Sequence, residues 1–401
     1  MNATLLVALV AAASAPQNKE RKGPLAGLPS APGPHVAKIN SLADDSWLNL
    51  GSPAPDAKWG RALGRSWSPK MPYAPDLRGA FLMGEGNHGW YNAKTRRYMD
   101  DLWFYDIHSN RWVCAYPGAD IDRLDFTINK DGFTATQEGD AVPISVTGHA
   151  YELVTYDTDL KRFLVADAGR MGYGTILKGW EKRGKTSVAN PWHYDTLAGK
   201  WGRPPIKEGS PVPECGPVDI LMYVPTKKKV FFHASSSGRN TTYFYDATSN
   251  TQTQIQTRGP KPPFGGDMVA CYDSRRDRIC LGQGKHLWFF EVATQTWVDP
   301  KPQGEPIEAI GSHDAVMTYD AANDKVVIVC GGWQAGWPKG KVYIYDPAAN
   351  TTAVTPGAMP ADIKQMNGFY DPVLNVHFIH AARDNVEGVM WTYRYRAPRK
   401  R

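Results

Sequence analysis

Asp267, His313 and Asp314 are two carboxylates and an imidazole, a set suited to proton transfer or to holding a metal. In the alternative reading, the carboxylates only cap loop amides. The five cysteines, Cys114, Cys215, Cys271, Cys280 and Cys330, contain no CxxC pair and no zinc spacing. No metal site is therefore assigned, and the cofactor stays unknown. A second group of candidates is Glu85, Asn87, His88, Trp90 and Tyr91, followed later by Arg170 with Tyr173, Trp180, Lys182 and Arg183. Aromatic rings beside hydrogen-bonding and cationic groups suit a sugar, an acidic sugar or a protein epitope. His149, His233 and His380 join the candidates once the elements that carry them are laid out.

The chain has 401 residues, 42% hydrophobic and 21% charged, with 14 Trp, 19 Tyr and 13 Phe. This excludes intrinsic disorder, and no later stretch approaches the roughly 18 to 20 apolar residues of a membrane-spanning helix. The 31 Pro and 38 Gly interrupt every pattern and disfavour long helices, which leaves an all-β chain. The net charge of +6 lies partly in the run Arg396 to Arg401, a solvated tail rather than a nucleic-acid patch. Residues 1–15, with an apolar core from Leu5 to Ala13 and then Ser14-Ala15, read as a secretory signal. Residues 16–40, rich in Pro, Ala, Gly and Lys, read as a flexible linker. A secreted or periplasmic monomer is expected.

The positioning elements follow from an internal repeat. The segment Leu102-Trp-Phe-Tyr-Asp106 recurs as Trp192-His-Tyr-Asp195, Tyr243-Phe-Tyr-Asp246, Leu287-Trp-Phe-Phe-Glu291, Val342-Tyr-Ile-Tyr-Asp346 and Met390-Trp-Thr-Tyr-Arg394. Seven residues after the reference aromatic stand Trp112, Trp201, Gln252, Trp297 and Thr352, and a constant step means a constant turn. Each copy follows another hairpin, opened by Tyr73, Tyr156, Tyr223, Tyr272, Tyr319 or Tyr370. Cys271 and Cys280 bracket one such turn and should be neighbours. Two hairpins per copy make a four-stranded antiparallel unit, and six units make a six-bladed β-propeller over residues 41–398. The last copy lacks its fourth strand. Asp45-Ser-Trp-Leu-Asn-Leu50 supplies it, closing the ring with an N-terminal strand.

With Gly331-Gly332 after a hydrophobic strand, Tyr345-Asp346, and the Trp seven residues after the aromatic in other copies, the chain resembles the kelch-repeat family, including the propeller of galactose oxidase. The resemblance implies strands named A to D from axis to rim. The B–C loops and D–A links then share one face, and the A–B and C–D turns share the other. On the loop face, 32 residues separate Tyr73 from Tyr105 and 38 separate Tyr156 from Tyr194, against 18 to 26 in the other blades. The link over roughly 118–147 is a third insertion on that face. Long loops on a rigid ring usually carry function. The same register puts Asp267, Asp314, His149 and His313 near the channel mouth, and His233 and His380 at equivalent ends of strand B in blades 3 and 6.

A binding module for a carbohydrate or protein ligand on the long-loop face is the first functional expectation. The alternative is an extracytoplasmic carbohydrate-active enzyme, similar to a sugar oxidase or a sialic-acid mutarotase. The oxidase resemblance would require copper held by two tyrosines and two histidines, with a cysteine cross-linked to one tyrosine. The only adjacent His/Tyr pair, His193-Tyr194, belongs to the repeat scaffold. No mutarotase motif can be placed.

Overall fold

The computed structural model describes residues 21–397, apart from 87–88, 90, 128–133, 141, 146–147, 167–190, 214, 217–218, 236–239, 264–267, 309, 312–314, 333–339, 362 and 364. Each ring sheet orders its strands A-B-C-D, and in blade 5 the short segment Gln303–Gly304 adds a parallel edge strand beyond D. Blade 1 is Tyr73–Ala74, Gly79–Leu82, Leu102–Asp106 and Arg111–Tyr116. Blade 2 is Val154–Asp157, Arg162–Val165, Trp192–Asp195 and Lys200–Gly202. Blade 3 is Ile220–Val224, Lys229–Ala234, Thr241–Asp246 and Thr251–Ile255, and blade 4 is Met268–Asp273, Arg278–Gln283, His286–Glu291 and Thr296–Val298. Blade 5 is Ala315–Asp320, Lys325–Cys330, Lys341–Asp346 and Thr351–Val354. Blade 6 takes Met366–Asp371, Val376–Ala381 and Val389–Arg394 from the C-terminal end and Ser46–Asn49 from the N-terminal end.

The seven-residue step is a pairing register. Tyr105 faces Trp112, Tyr194 faces Trp201, and Phe290 faces Trp297 across strands C and D. In blade 6 the pair is Tyr393 and Trp47, with ring centres 4.7 Å apart, so the N-terminal strand restores both the sheet and its tryptophan. Cys271 and Cys280 are direct cross-strand partners, and all five cysteines are free thiols.

The repeated Tyr-Asp pair locks the turns. Asp246 accepts the amides of Thr248 and Ser249, and Asp346 those of Ala348 and Ala349, the short-range capping for which Asp suits turns. Five residues after the tyrosine stands Asn110, Asn350 or Asn375, each at positive φ and each accepting the tyrosine hydroxyl. Asn tolerates that conformation better than most side chains.

Residues 21–40, read from sequence as part of a flexible linker, instead form a strap across the turn face. Arg21 pairs with Asp76 at 3.1 Å, and the Lys22 amide donates to Leu197 O. The short 3₁₀ turn Gly23–Gly27 inserts Leu25 among Phe81, Phe104, Tyr156 and Trp192. Helix α1, His35–Asn40, buries Val36 and Ile39 beside Tyr105, Ile107, Val376 and Phe378. The Pro-rich composition conceals these apolar anchors because they are too sparse to make a periodic pattern. No described helix is long and apolar enough to cross a membrane.

Candidate functional site

Two of the three insertions fold into a small lobe on the loop face. The B–C insertion of blade 1 makes the hairpin Tyr91–Asn92 with Arg97–Tyr98, turned by Asn92 Oδ1, which accepts the amides of Lys94 and Thr95. The link from blade 1 to blade 2 makes the hairpin Leu124–Asp125 with Ala135–Thr136. Tyr98, Met99, Ala119, Leu124, Val142 and Ile144 form a separate hydrophobic cluster between them. Arg97 ties the two together, donating to Gly118 O at 2.8 Å and pairing with Asp120 at 3.1 Å.

A cavity of about 290 Å³ opens beside this lobe, between the hairpin, the segment around Trp59, and Glu387 from blade 6. The Lys58 ammonium and the Arg97 guanidinium each lie 4.8 Å from the centre of the Trp59 ring, within cation–π range. Arg61 pairs with Glu387 at 2.9 Å, and Asp101 is taken by Arg65 at 2.9 Å and by the Trp103 indole N–H. Lys58 and Lys94 have no carboxylate partner among the described residues. The described lining thus carries four cations, Lys58, Arg61, Lys94 and Arg97, against the two carboxylates Asp101 and Glu387. A second cavity, of about 390 Å³, lies on the other side of Arg97 and is lined by Arg123, Lys200, Asp120, Asp140 and Trp201.

At the inner edge of the same face, Glu85 and His149 meet. The His149 Nδ1–H donates to the Glu85 carbonyl at 2.9 Å, and its ring packs with Trp67 and Tyr151. The Glu85 side chain is fully buried. Burial pushes its pKa up to about 8, against the pull of the Gly89 amide and the Arg65 charge.

No family model matches the sequence. No curated protein matches it either. Among solved structures, the chain is similar to an auxiliary nutrient binding protein from Bacteroides thetaiotaomicron VPI-5482. The two share 9% identity with a TM-score of 0.49, over 86% of this chain and 75% of that one.

Of the residues singled out from sequence, Glu85 and His149 come together, and Tyr91 stands 45% exposed on the hairpin, one residue from the cavity wall. His233 and His380 are not at the channel mouth. His233 is sealed between blades 3 and 4, its ring centre 4.8 Å from that of Trp297, and its Nδ1 bonds the Thr242 hydroxyl. His380 is sealed between blades 6 and 1, with its ring centre 5.1 Å from that of Trp112. Burial lowers both pKa values to about 3, so both are neutral packing residues. Asn87, His88, Trp90, Arg170, Asp267, His313 and Asp314 lie outside the described residues. Among the described residues, no three His, Cys, Asp or Glu side chains group as metal ligands.

The axis itself holds a pair that sequence reasoning missed. Lys70 Nζ donates to Leu221 O at 2.7 Å and Glu152 O at 3.1 Å, and lies 3.0 Å from Glu152 Oε2. Burial lowers the lysine pKa and raises that of the carboxyl, each opposed by the partner's charge. A lone Lys and a lone Glu 82 positions apart form no motif, so only the ring brings them together.

Proposed function

We propose that this chain is an exported, kelch-type binding propeller whose ligand is a carbohydrate bearing negative charge, held on the loop face of blades 1 and 2. The observation that carries this reading is the cavity at Trp59, where Lys58 and the guanidinium of Arg97 lie against the indole and Lys94 lines the same wall, neither lysine with a carboxylate partner among the described residues. An acidic sugar offers carboxylates to such cations and apolar ring faces to an aromatic. The constant Tyr-Asp turn and the Tyr-to-Trp register support the kelch assignment. The apolar stretch in residues 1–15 supports export.

The test is calorimetric titration with oligogalacturonate and with a neutral oligosaccharide of equal length. Oligogalacturonate should bind with an affinity that falls as salt rises. The double variant Lys58→Ala/Lys94→Ala should weaken it by at least about tenfold, roughly 1.4 kcal/mol. Equal binding of the neutral sugar, or an unchanged affinity in the double variant, would defeat the reading. If the scaffold also turns its ligand over, Asp267, His313 and Asp314 are the groups to substitute: turnover is abolished in an enzyme, whereas only affinity changes in a binding module.

A further inference from the structure

The axis opens on the turn face, away from the two described insertions. There a cavity of about 340 Å³ is lined by the strand A tyrosine of each blade, Tyr73, Tyr156, Tyr223, Tyr272, Tyr319 and Tyr370. Its wall also includes Met71, Met222, Met317 and Phe369, and Lys70 lines it as well. The volume lies in the range of small-molecule pockets, about 300 to 1,000 Å³.

We propose that this axial cavity is a binding site for a small, uncharged and largely apolar molecule, independent of the loop-face site. The charge balance selects that class. Lys70 is the one charged residue among those lining the cavity, and its ammonium already serves Leu221 O, Glu152 O and the Glu152 carboxylate. Five of the six tyrosine hydroxyls are committed as well: Tyr73 donates to Asp371, Tyr156 to Asp76, Tyr272 to Asp277, Tyr319 to Asp324 and Tyr370 to Asp320, at 2.7 to 3.1 Å. A charged guest would lose its hydration and find no free counter-charge, a large penalty. A neutral aromatic or alicyclic guest meets ring carbons and polarisable methionine sulfur, contacts that favour it.

Prodan, an uncharged naphthalene fluorophore, is the probe, titrated against the full chain. Saturable binding at one site per chain with blue-shifted emission is expected, undisturbed by excess tetraethylammonium. Ala321 and Ser274 are exposed rim residues of the cavity, so Ala321→Trp and Ser274→Trp cover the mouth without touching the core. Each should weaken Prodan by at least about tenfold, while Lys58→Ala/Lys94→Ala leaves it unchanged. Absence of saturable binding overturns the proposal. So does an undiminished affinity in both rim variants, displacement by tetraethylammonium, or loss of Prodan in the lysine variant, which would move the site to the loop face.

Discussion

An aspartate on the turn face and a glutamate on the loop face are held in opposite states by the same ring. Asp324 ends the A–B turn of blade 5 and receives both arms of Arg276 from blade 4, at 2.5 and 2.8 Å, which holds its pKa down to about 2. Glu85 opens the long loop of blade 1, where burial pushes its pKa up to about 8. The turn-face pairing recurs: Arg78 of blade 1 grips Asp371 of blade 6 at 2.6 and 2.8 Å, and Tyr370 of blade 6 donates to Asp320 of blade 5. Charges on that face are spent fastening neighbouring blades. On the loop face, Lys58 and Lys94 line a cavity with no carboxylate partner among the described residues, which leaves cationic charge available to a ligand.

The largest expected effect comes from removing the fastening itself. Deleting residues 1–40 takes away Leu25, Val36 and Ile39, all buried, and the Arg21–Asp76 pair. At roughly 1.5 to 3 kcal/mol for each buried aliphatic side chain, the ring should lose at least about 3 kcal/mol. Calorimetric melting decides it. An unchanged melting temperature would mean that the segment is a tether after all. Deleting residues 1–52 also removes Trp47 and the closing strand, and should leave no cooperative transition.

That expectation reverses what the sequence implies for residues 16–40, and the reason shows which parts of this molecule can be read from sequence. Strands C and D announce themselves because Tyr105 and Trp112, or Tyr194 and Trp201, must sit opposite each other, which turns geometry into a fixed spacing. Trp47 is legible for the same reason, as the partner Tyr393 would otherwise lack. The strap has no repeat to reveal it. His233 and His380 mislead because both faces of a propeller blade are covered by neighbours, so period-2 alternation no longer separates channel from core. The insertions are legible as lengths, but Lys58, Trp59 and Arg97 meet only through the folded lobe.

The second effect is a dependence on pH. Glu85 keeps its proton in the folded chain up to about pH 8, whereas the unfolded chain releases it near 4.5. Between those values the folded state binds more protons, so its stability is greatest below the lower value. It then falls as pH rises, by up to roughly 1.4 kcal/mol per unit from this group. Glu85→Gln keeps the neutral shape and removes the titration. Denaturant melts from pH 5 to 8 should slope less for the variant than for the parent. Parallel slopes would show that the carboxyl is ionised in the fold.

The smallest effect separates the two faces residue by residue. Asn350 holds a positive φ of 52°, accepts the Tyr345 hydroxyl at 3.0 Å, and donates to Pro300 O at 2.7 Å. Asn350→Ala removes both bonds and places a residue less tolerant of that backbone in the turn, a loss of about 1 to 3 kcal/mol. Tyr91, 45% exposed on the loop-face hairpin, has its ring centre 6.0 Å from that of Tyr98, and Tyr91→Ala should change stability by no more than about 0.5 kcal/mol. In oligogalacturonate binding the order should invert, with Asn350→Ala neutral and Tyr91→Ala weaker, because the hairpin that carries Tyr91 borders the cavity at Asn92 and Lys94. If Tyr91→Ala costs stability and spares binding, the loop lobe is an extension of the scaffold, and the division of labour between the faces fails.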